Sequence, residues 1–130
     1  MSKKTIKTPN APAPIGPYSQ AVQAGNFLFL SGQIALVPQT GELEIDSIES
    51  ETHRIMQNIQ AILKVAGYDF GDIIKTSIFL SDMDFFLKVN ETYGSYFKKD
   101  FPARETVEVS RLPKNVHVEI SVTAYKEDLN

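Results

Sequence analysis

The 130-residue sequence contains no cysteine. Disulfide staples, thiolate catalysis and thiolate-held metals are therefore excluded, and the compartment is left open by that absence. The two histidines, His53 and His117, lie far apart, so no metal centre is expected. No stretch approaches the ~20 apolar residues of a membrane-spanning helix. The start, MSKKTIKTPN, is basic but has no apolar run behind it, so it does not read as a secretory signal. Positive charge is not in excess either: 13 Lys and Arg face 16 Asp and Glu, for a net charge of −3. That balance argues against a surface that binds nucleic acid by neutralising phosphates. Phosphate-loop, dinucleotide-binding, nucleophile-elbow and zinc-protease motifs are all missing. What remains is an ordinary globular composition, 42% hydrophobic and 22% charged, in a chain of one-domain length. A single cytoplasmic domain over residues 1–130 is the expectation, with residues 1–10 as a flexible arm.

Four of the seven prolines (Pro9, Pro12, Pro14 and Pro17) fall in the first 17 residues, which read as irregular. YSQAVQAG and FLFLSGQIAL predict a hairpin around Gly25-Asn26, and VPQTGELE predicts a loop. The period then changes. Ile48, Thr52, Ile55, Met56, Ile59, Ile62, Leu63 and Ala66 recur at three and four, which marks one face of a helix. Asp46 and Glu49 suggest a capping box at its start, and Gly67 its end. IIKTSIFL predicts a strand, and Phe85, Phe86, Val89, Tyr93 and Phe97 predict a second helix from about Asp84 to Phe97. ETVEVS and VHVEISVTAY predict two last strands joined through Leu112-Pro113-Lys114-Asn115. This order implies an α+β fold with one sheet and both helices packed on one of its faces. The other face is then uncovered in a monomer, so a homo-oligomer is expected.

The last strand alternates cleanly: Val116, Val118, Ile120, Val122 and Ala124 share one face, and His117, Glu119, Ser121, Thr123 and Tyr125 the other. Glu119, flanked by Val118 and Ile120, is a carboxylate in a strand expected to be largely buried, which suits general acid–base work. An ion pair at a subunit interface is the other reading. Arg104 follows Phe101-Pro102-Ala103, and its planar fork matches a small carboxylate. A surface arginine, or one paired with Glu105 or Glu108, is the competing reading. Tyr18 after Ile15-Gly16-Pro17, the Ser31-Gly32-Gln33 stretch and Asn90 on the second helix add polar groups that together describe a small pocket needing no cofactor. His53, among Glu51, Arg54 and Gln57, reads as a solvated surface residue.

The pieces IGPYSQAV, SGQI, NIQAILKVAG, VNETYGSYF, FPAR and LPKNVHVEI occur in this order between about Ala11 and Tyr125. They resemble the reactive intermediate deaminase (RidA, YjgF-like or UK114-like) family. The resemblance implies a chorismate-mutase-like fold and a homotrimer with active sites in clefts between subunits. It also implies hydrolysis of 2-imino acids, such as 2-iminobutanoate and 2-iminopropanoate, to 2-oxo acids and ammonia without a cofactor or metal. Carried over by motif, Arg104 grips the substrate carboxylate, and Glu119 positions or activates water. Tyr18, Ser31, Gly32 and Asn90 line the pocket, and Thr106 stands where many members have Cys. The family contact at that position is attributed to main chain, so Thr106 is expected to be tolerated. Two other readings are an endoribonuclease or translation inhibitor, and a non-catalytic module that binds small 2-oxo acids.

Overall fold

Every second residue turns inward along the strands and every third or fourth along the helices, and the two periods meet in one core. The computed structural model describes residues 2–128; Met1 of the expected arm and residues 129–130 lie outside the described residues. The elements are β1 (Lys4–Ile6), β2 (Ala21–Ala24), β3 (Phe27–Leu30), α1 (Ile48–Val65), β4 (Ile73–Leu80), α2 (Phe86–Gly94), β5 (Ala103–Glu108) and β6 (Val118–Tyr125). They build one mixed six-stranded sheet in the order β1-β2-β3-β6-β4-β5. Only β4 and β5 run parallel, as the helical crossover through α2 requires. Among the described residues no helix is long and apolar enough to cross a membrane.

Ile55, Met56, Ile59, Ile62 and Leu63 of α1 and Val89 and Tyr93 of α2 pack into one cluster with inward strand residues such as Leu28, Ile78, Val118, Ile120 and Val122. Both helices therefore cover the same face of the sheet. A smaller cluster of Ile34, Leu36, Leu112 and Val116 closes one end and takes in Phe79. Asn58, fully buried on α1, ties that end down by donating to Ile34 O at 3.3 Å and Leu36 O at 2.9 Å. The uncovered face is not polar throughout. Phe27 and Phe29 are 41% and 48% exposed there, and Phe27 lies 4.9 Å from the Tyr125 ring.

Several elements differ from the sequence expectation. The arm is not irregular throughout: Lys4–Ile6 pairs antiparallel with β2. Gln20, itself buried, holds the arm by donating to the carbonyls of Thr8, Ala11 and Pro12 and accepting from Thr8 N. The capping box of α1 is Ser47 and Ser50, not Asp46 and Glu49. The residue with extended backbone is Ser47, whose Oγ accepts from Ser50 N at 3.0 Å, so Asp46 stands one position too early. Gly67 does end the helix, at φ +87°, a conformation that favours glycine. The second helix is shorter than the apolar spacing suggests. A single 3₁₀ turn, Met83–Phe85, capped by the Asp82 carboxylate, precedes α2. Past Gly94 the chain leaves the helix, and Phe97 packs against Tyr93 from outside it with the rings tilted, 4.9 Å apart. The ladder of β6 begins at Val118 rather than Val116. The reason is Glu51, fully buried on α1, whose carboxylate accepts from His117 N at 2.8 Å and Val118 N at 3.0 Å. It also takes the His117 ring at 2.8 Å. His53, expected in solvent, is partly buried and bonded through Nδ1 to the Tyr96 hydroxyl at 2.7 Å.

Candidate functional site

Arg104 stands opposite Thr76 of β4, on the helix side of the sheet. Its guanidinium lies over the rings of Phe86 and Tyr93, 5.7 and 5.4 Å from their centroids. Tyr93 is fixed by donating to Thr76 Oγ1 at 2.8 Å, and burial pushes its phenol above the ordinary range. The glutamates that could have paired with Arg104 are engaged elsewhere. Glu105 points to the other face, where Lys75 at 2.8 Å and the Ser77 hydroxyl hold it. Glu108 accepts from Met83 N at 2.7 Å. Among the described residues no carboxylate lies within ion-pair distance of Arg104. The cation faces an open cleft of about 310 Å³ with Asn90, Tyr93, Gly94, Phe101 and Pro102. Thr106 points to the same side of the sheet, opposite Ile78, and its hydroxyl is buried without a hydrogen-bond partner.

Glu119 lies elsewhere. It is opposite Phe79 on β4, so it projects from the face away from the helices. The chain leaves β3 at Leu30, passes Ser31 and Gly32, and returns to β6 through paired bonds between Gln33 and Ile120 of 2.8 and 3.1 Å. That detour lays the bare backbone of Gly32 against the Glu119 carboxylate. A Cβ on residue 32 would come within 2.9 Å of Glu119 Cδ and closer still to Oε2. Ser31 Oγ donates to Ser19 O at 2.6 Å, and Ser31 N donates to Gln20 O at 3.0 Å. Tyr18 accepts from Ile15 N through its hydroxyl oxygen at 3.2 Å. Tyr18, Gly32 and Glu119 thus border a small pocket of about 50 Å³, lined also by Pro12, Ile15 and Pro113. A space of that size admits water, which needs about 10–15 Å³ on this measure. Desolvation raises the Glu119 carboxyl above its ordinary range, and no ion pair offsets it among the described residues.

The sequence-derived residues therefore form two groups. Tyr18, Ser31, Gly32 and Glu119 gather on one side, and Asn90, Arg104 and Thr106 on the other. Within one subunit Arg104 and Glu119 stand on opposite faces of the sheet and do not meet. No group of His, Asp and Glu that could hold a metal ion occurs among the described residues. Sequence reasoning missed Gln20, which holds the wall of the first group, and the Phe86 and Tyr93 rings beneath Arg104. Phe86 and Tyr93 follow a helical apolar period, a signal indistinguishable from ordinary core.

A family profile described as endoribonuclease L-PSP matches residues 8–126. The chain belongs to that family. Its RidA branch is the one the motifs resemble, and the relatives include both RutC family proteins and proteins named as reactive intermediate deaminases. A RutC family protein of Pyrococcus horikoshii is 54% identical over 125 residues, covering 96% of this chain and 99% of the other. The 2-iminobutanoate/2-iminopropanoate deaminase of Escherichia coli K12 is 46% identical over 126 residues, covering 95% and 98%. Among solved structures, E. coli TdcF with bound serine is 40% identical, with a TM-score of 0.91 over 95% of this chain and 99% of that one. The RidA family thus accounts for the one sheet and the two helices.

Proposed function

We propose that this RidA-family protein hydrolyses small 2-imino acids, 2-iminobutanoate and 2-iminopropanoate among them, to 2-oxo acids and ammonia, in a homotrimer whose sites lie between subunits. The observation that carries the reading is the pair of complementary half-sites. One offers an unpaired guanidinium in an aromatic cleft, and the other an unpaired, half-buried carboxyl beside a water-sized cavity. Each alone is incomplete, and a neighbouring copy bringing the second half to the first completes both. The exposed Phe27 and Phe29 on the uncovered face give such copies a surface to bury. Supporting the substrate class, the 46% identical relative is named for imine deamination, and TdcF was solved holding a small amino acid.

In the proposed reaction Arg104 binds the carboxylate through two parallel hydrogen bonds and so orients the C=N group. Glu119 takes a proton from water as the water oxygen bonds to C2 of the protonated imine, giving a carbinolamine. That proton passes to nitrogen, the C2–N bond breaks, and ammonia leaves as the C2 oxygen sheds its proton and becomes the carbonyl. Main chain near Thr106 hydrogen-bonds the nitrogen in this proposal. Gly32 lets the water approach Glu119, with Ser31 and Tyr18 shaping that wall. Asn90 lines the carboxylate end. The protein works in the cytoplasm and needs no added cofactor.

The deciding assay couples threonine dehydratase to 2-oxobutanoate release in the presence of an imine trap, with and without the protein. Faster release that is lost in both Arg104→Ala and Glu119→Gln supports the reading. Unchanged imine lifetime, with 2-oxobutanoate still bound, would make the protein a binding module. Cleavage of RNA retained by Arg104→Ala would replace it with a nuclease. Sedimentation equilibrium should give three times the subunit mass of 14.5 kDa; a monomer at micromolar concentration would leave both half-sites unjoined.

A further inference from the structure

We infer that Gln20 is a positioning residue for the Glu119 half-site: its side-chain amide holds residues 8–15 as a strap beside the pocket, and so acts on the water step rather than on carboxylate binding. This rests on the imine-hydrolase reading above. β1 ends at Ile6. Pro9, Pro12 and Pro14 follow, and a proline has no N–H to give a neighbouring strand. Among the described residues no backbone–backbone hydrogen bond joins residues 8–15 to the rest of the chain. Side chains hold the strap instead. Ala11 seats it in the core, and the Tyr18 hydroxyl takes Ile15 N at its far end. Between them works the Gln20 amide, 3% exposed, with two N–H groups and one acceptor oxygen. Its nitrogen lies 2.8 Å from Pro12 O, 3.0 Å from Thr8 O and 3.2 Å from Ala11 O. Its oxygen accepts from Thr8 N at 2.8 Å. A carboxylate or a thioether of the same length cannot donate at all.

Gln20 reaches the Glu119 pocket through two walls. Pro12, Ala13 and Ile15 of the strap line it, as does Gln20 itself. The Gln20 carbonyl also accepts from Ser31 N at 3.0 Å, one residue before the glycine that lies against Glu119. Among the described residues Tyr18 is the only other titratable side chain in that lining, and exclusion of water is what raises the Glu119 carboxyl. Freeing the strap admits water and brings the carboxyl back toward its ordinary range. None of these residues borders the Arg104 cleft, which lies across the sheet.

The test compares wild type, Gln20→Met and Gln20→Asn, the last keeping the amide one carbon short of its partners. Amide hydrogen exchange, sedimentation, calorimetric binding of 2-oxobutanoate and dehydratase-coupled turnover across pH are measured on each. Exchange at Thr8, Asn10 and Ala11 should quicken at least about tenfold more than any change in α1 and β6. Turnover (kcat) should fall at least about tenfold while 2-oxobutanoate affinity stays within about threefold. The acid limb of kcat/KM should move to lower pH, a shift that lost stability alone does not produce. Unchanged exchange in residues 8–15 overturns the inference, and so does a freed strap with kcat or the limb unmoved. Affinity and kcat falling together, or a changed sedimenting mass, also overturn it by assigning Gln20 to the clamp or to assembly. Should Gln20→Met not fold, Gln20→Asn decides by the same criteria. If wild type turns over no imine, the hydrolase reading falls and direct titration of Glu119 by carboxyl-carbon NMR, assigned with Glu119→Gln, decides. A lower value in Gln20→Asn than in wild type keeps the strap's role; an equal one overturns both.

Discussion

Replacing Gly32 by alanine tests the closest approach in the candidate site. The new methyl would stand 2.9 Å from Glu119 Cδ and 3.1 Å from Cγ, nearer still to Oε2, and all three atoms belong to one side chain. Relief therefore comes from turning Glu119 rather than from moving backbone. A side chain forced about 30° off its rotamer costs roughly 0.5–1.5 kcal/mol, and overpacking typically about 1–3 kcal/mol. The expected destabilisation of Gly32→Ala is thus about 1–2 kcal/mol in urea unfolding at one fixed protein concentration. The turned carboxylate would miss its water, and a misplacement of about 1 Å costs roughly a hundredfold in turnover. The control is the same change in a Glu119→Ala background, where the three clashing atoms are gone. There Gly32→Ala should cost almost nothing in stability and leave the residual turnover unaltered, a coupling of about 1–2 kcal/mol between contacting sites. If Gly32→Ala costs the same in both backgrounds, its methyl is not meeting Glu119 and the geometry argued for this half-site is wrong.

Arg104→Lys keeps the charge but loses the planar fork; kcat/KM in the dehydratase-coupled assay should drop about ten- to a hundredfold, with weaker 2-oxobutanoate binding. Normal values for both would remove the carboxylate clamp. Because burial raises the Glu119 carboxyl above its ordinary 4.5 and its active form is deprotonated, kcat/KM should fall as pH drops through that raised value. The limb should vanish in Glu119→Gln, whose turnover is lower by about 10²–10⁴. The same raised value means that the stability Glu119 contributes is complete below its unfolded value and is lost as pH rises through the folded one. Glu119→Gln should therefore gain stability over wild type at neutral pH and not in acid; the opposite trend in urea midpoints would mean the carboxylate is favourably paired. Thr106→Cys should stay within a few-fold in turnover, and Thr106→Val should unfold no earlier than wild type, gaining up to about 1 kcal/mol by removing an unpaired buried hydroxyl. A hundredfold loss in either variant would show that the hydroxyl itself takes part.

Alternation along VHVEISVTAY was enough to place Glu119 on the face away from Ile120 and Val122, because a strand side chain has only two directions to choose from. The three- and four-residue spacing from Ile48 to Ala66 likewise specified α1, and Gly67 its end, since these are properties of one local period. The six motifs in order identified the family. In β5 the same reasoning failed: Arg104, Glu105, Thr106, Val107 and Glu108 carry no clean period, so nothing local said which face Arg104 takes. Register with β4 decided it, setting Arg104 beside Thr76 on the helix side and leaving Glu105 to Lys75. Lys4–Ile6 was illegible for a related reason: three residues on a sheet edge gain strand structure only from β2 and from the Gln20 side chain. The contact of Glu51 with the start of β6 joins residues 66 apart, and no local pattern encodes it. Local sequence determined the direction of side chains within each element, because steric and apolar periods repeat over a few residues. Which elements face one another, and hence that Arg104 and Glu119 part company within a subunit, was decided by long-range pairing and burial, whose free energy is gained only once the whole sheet closes on its helices.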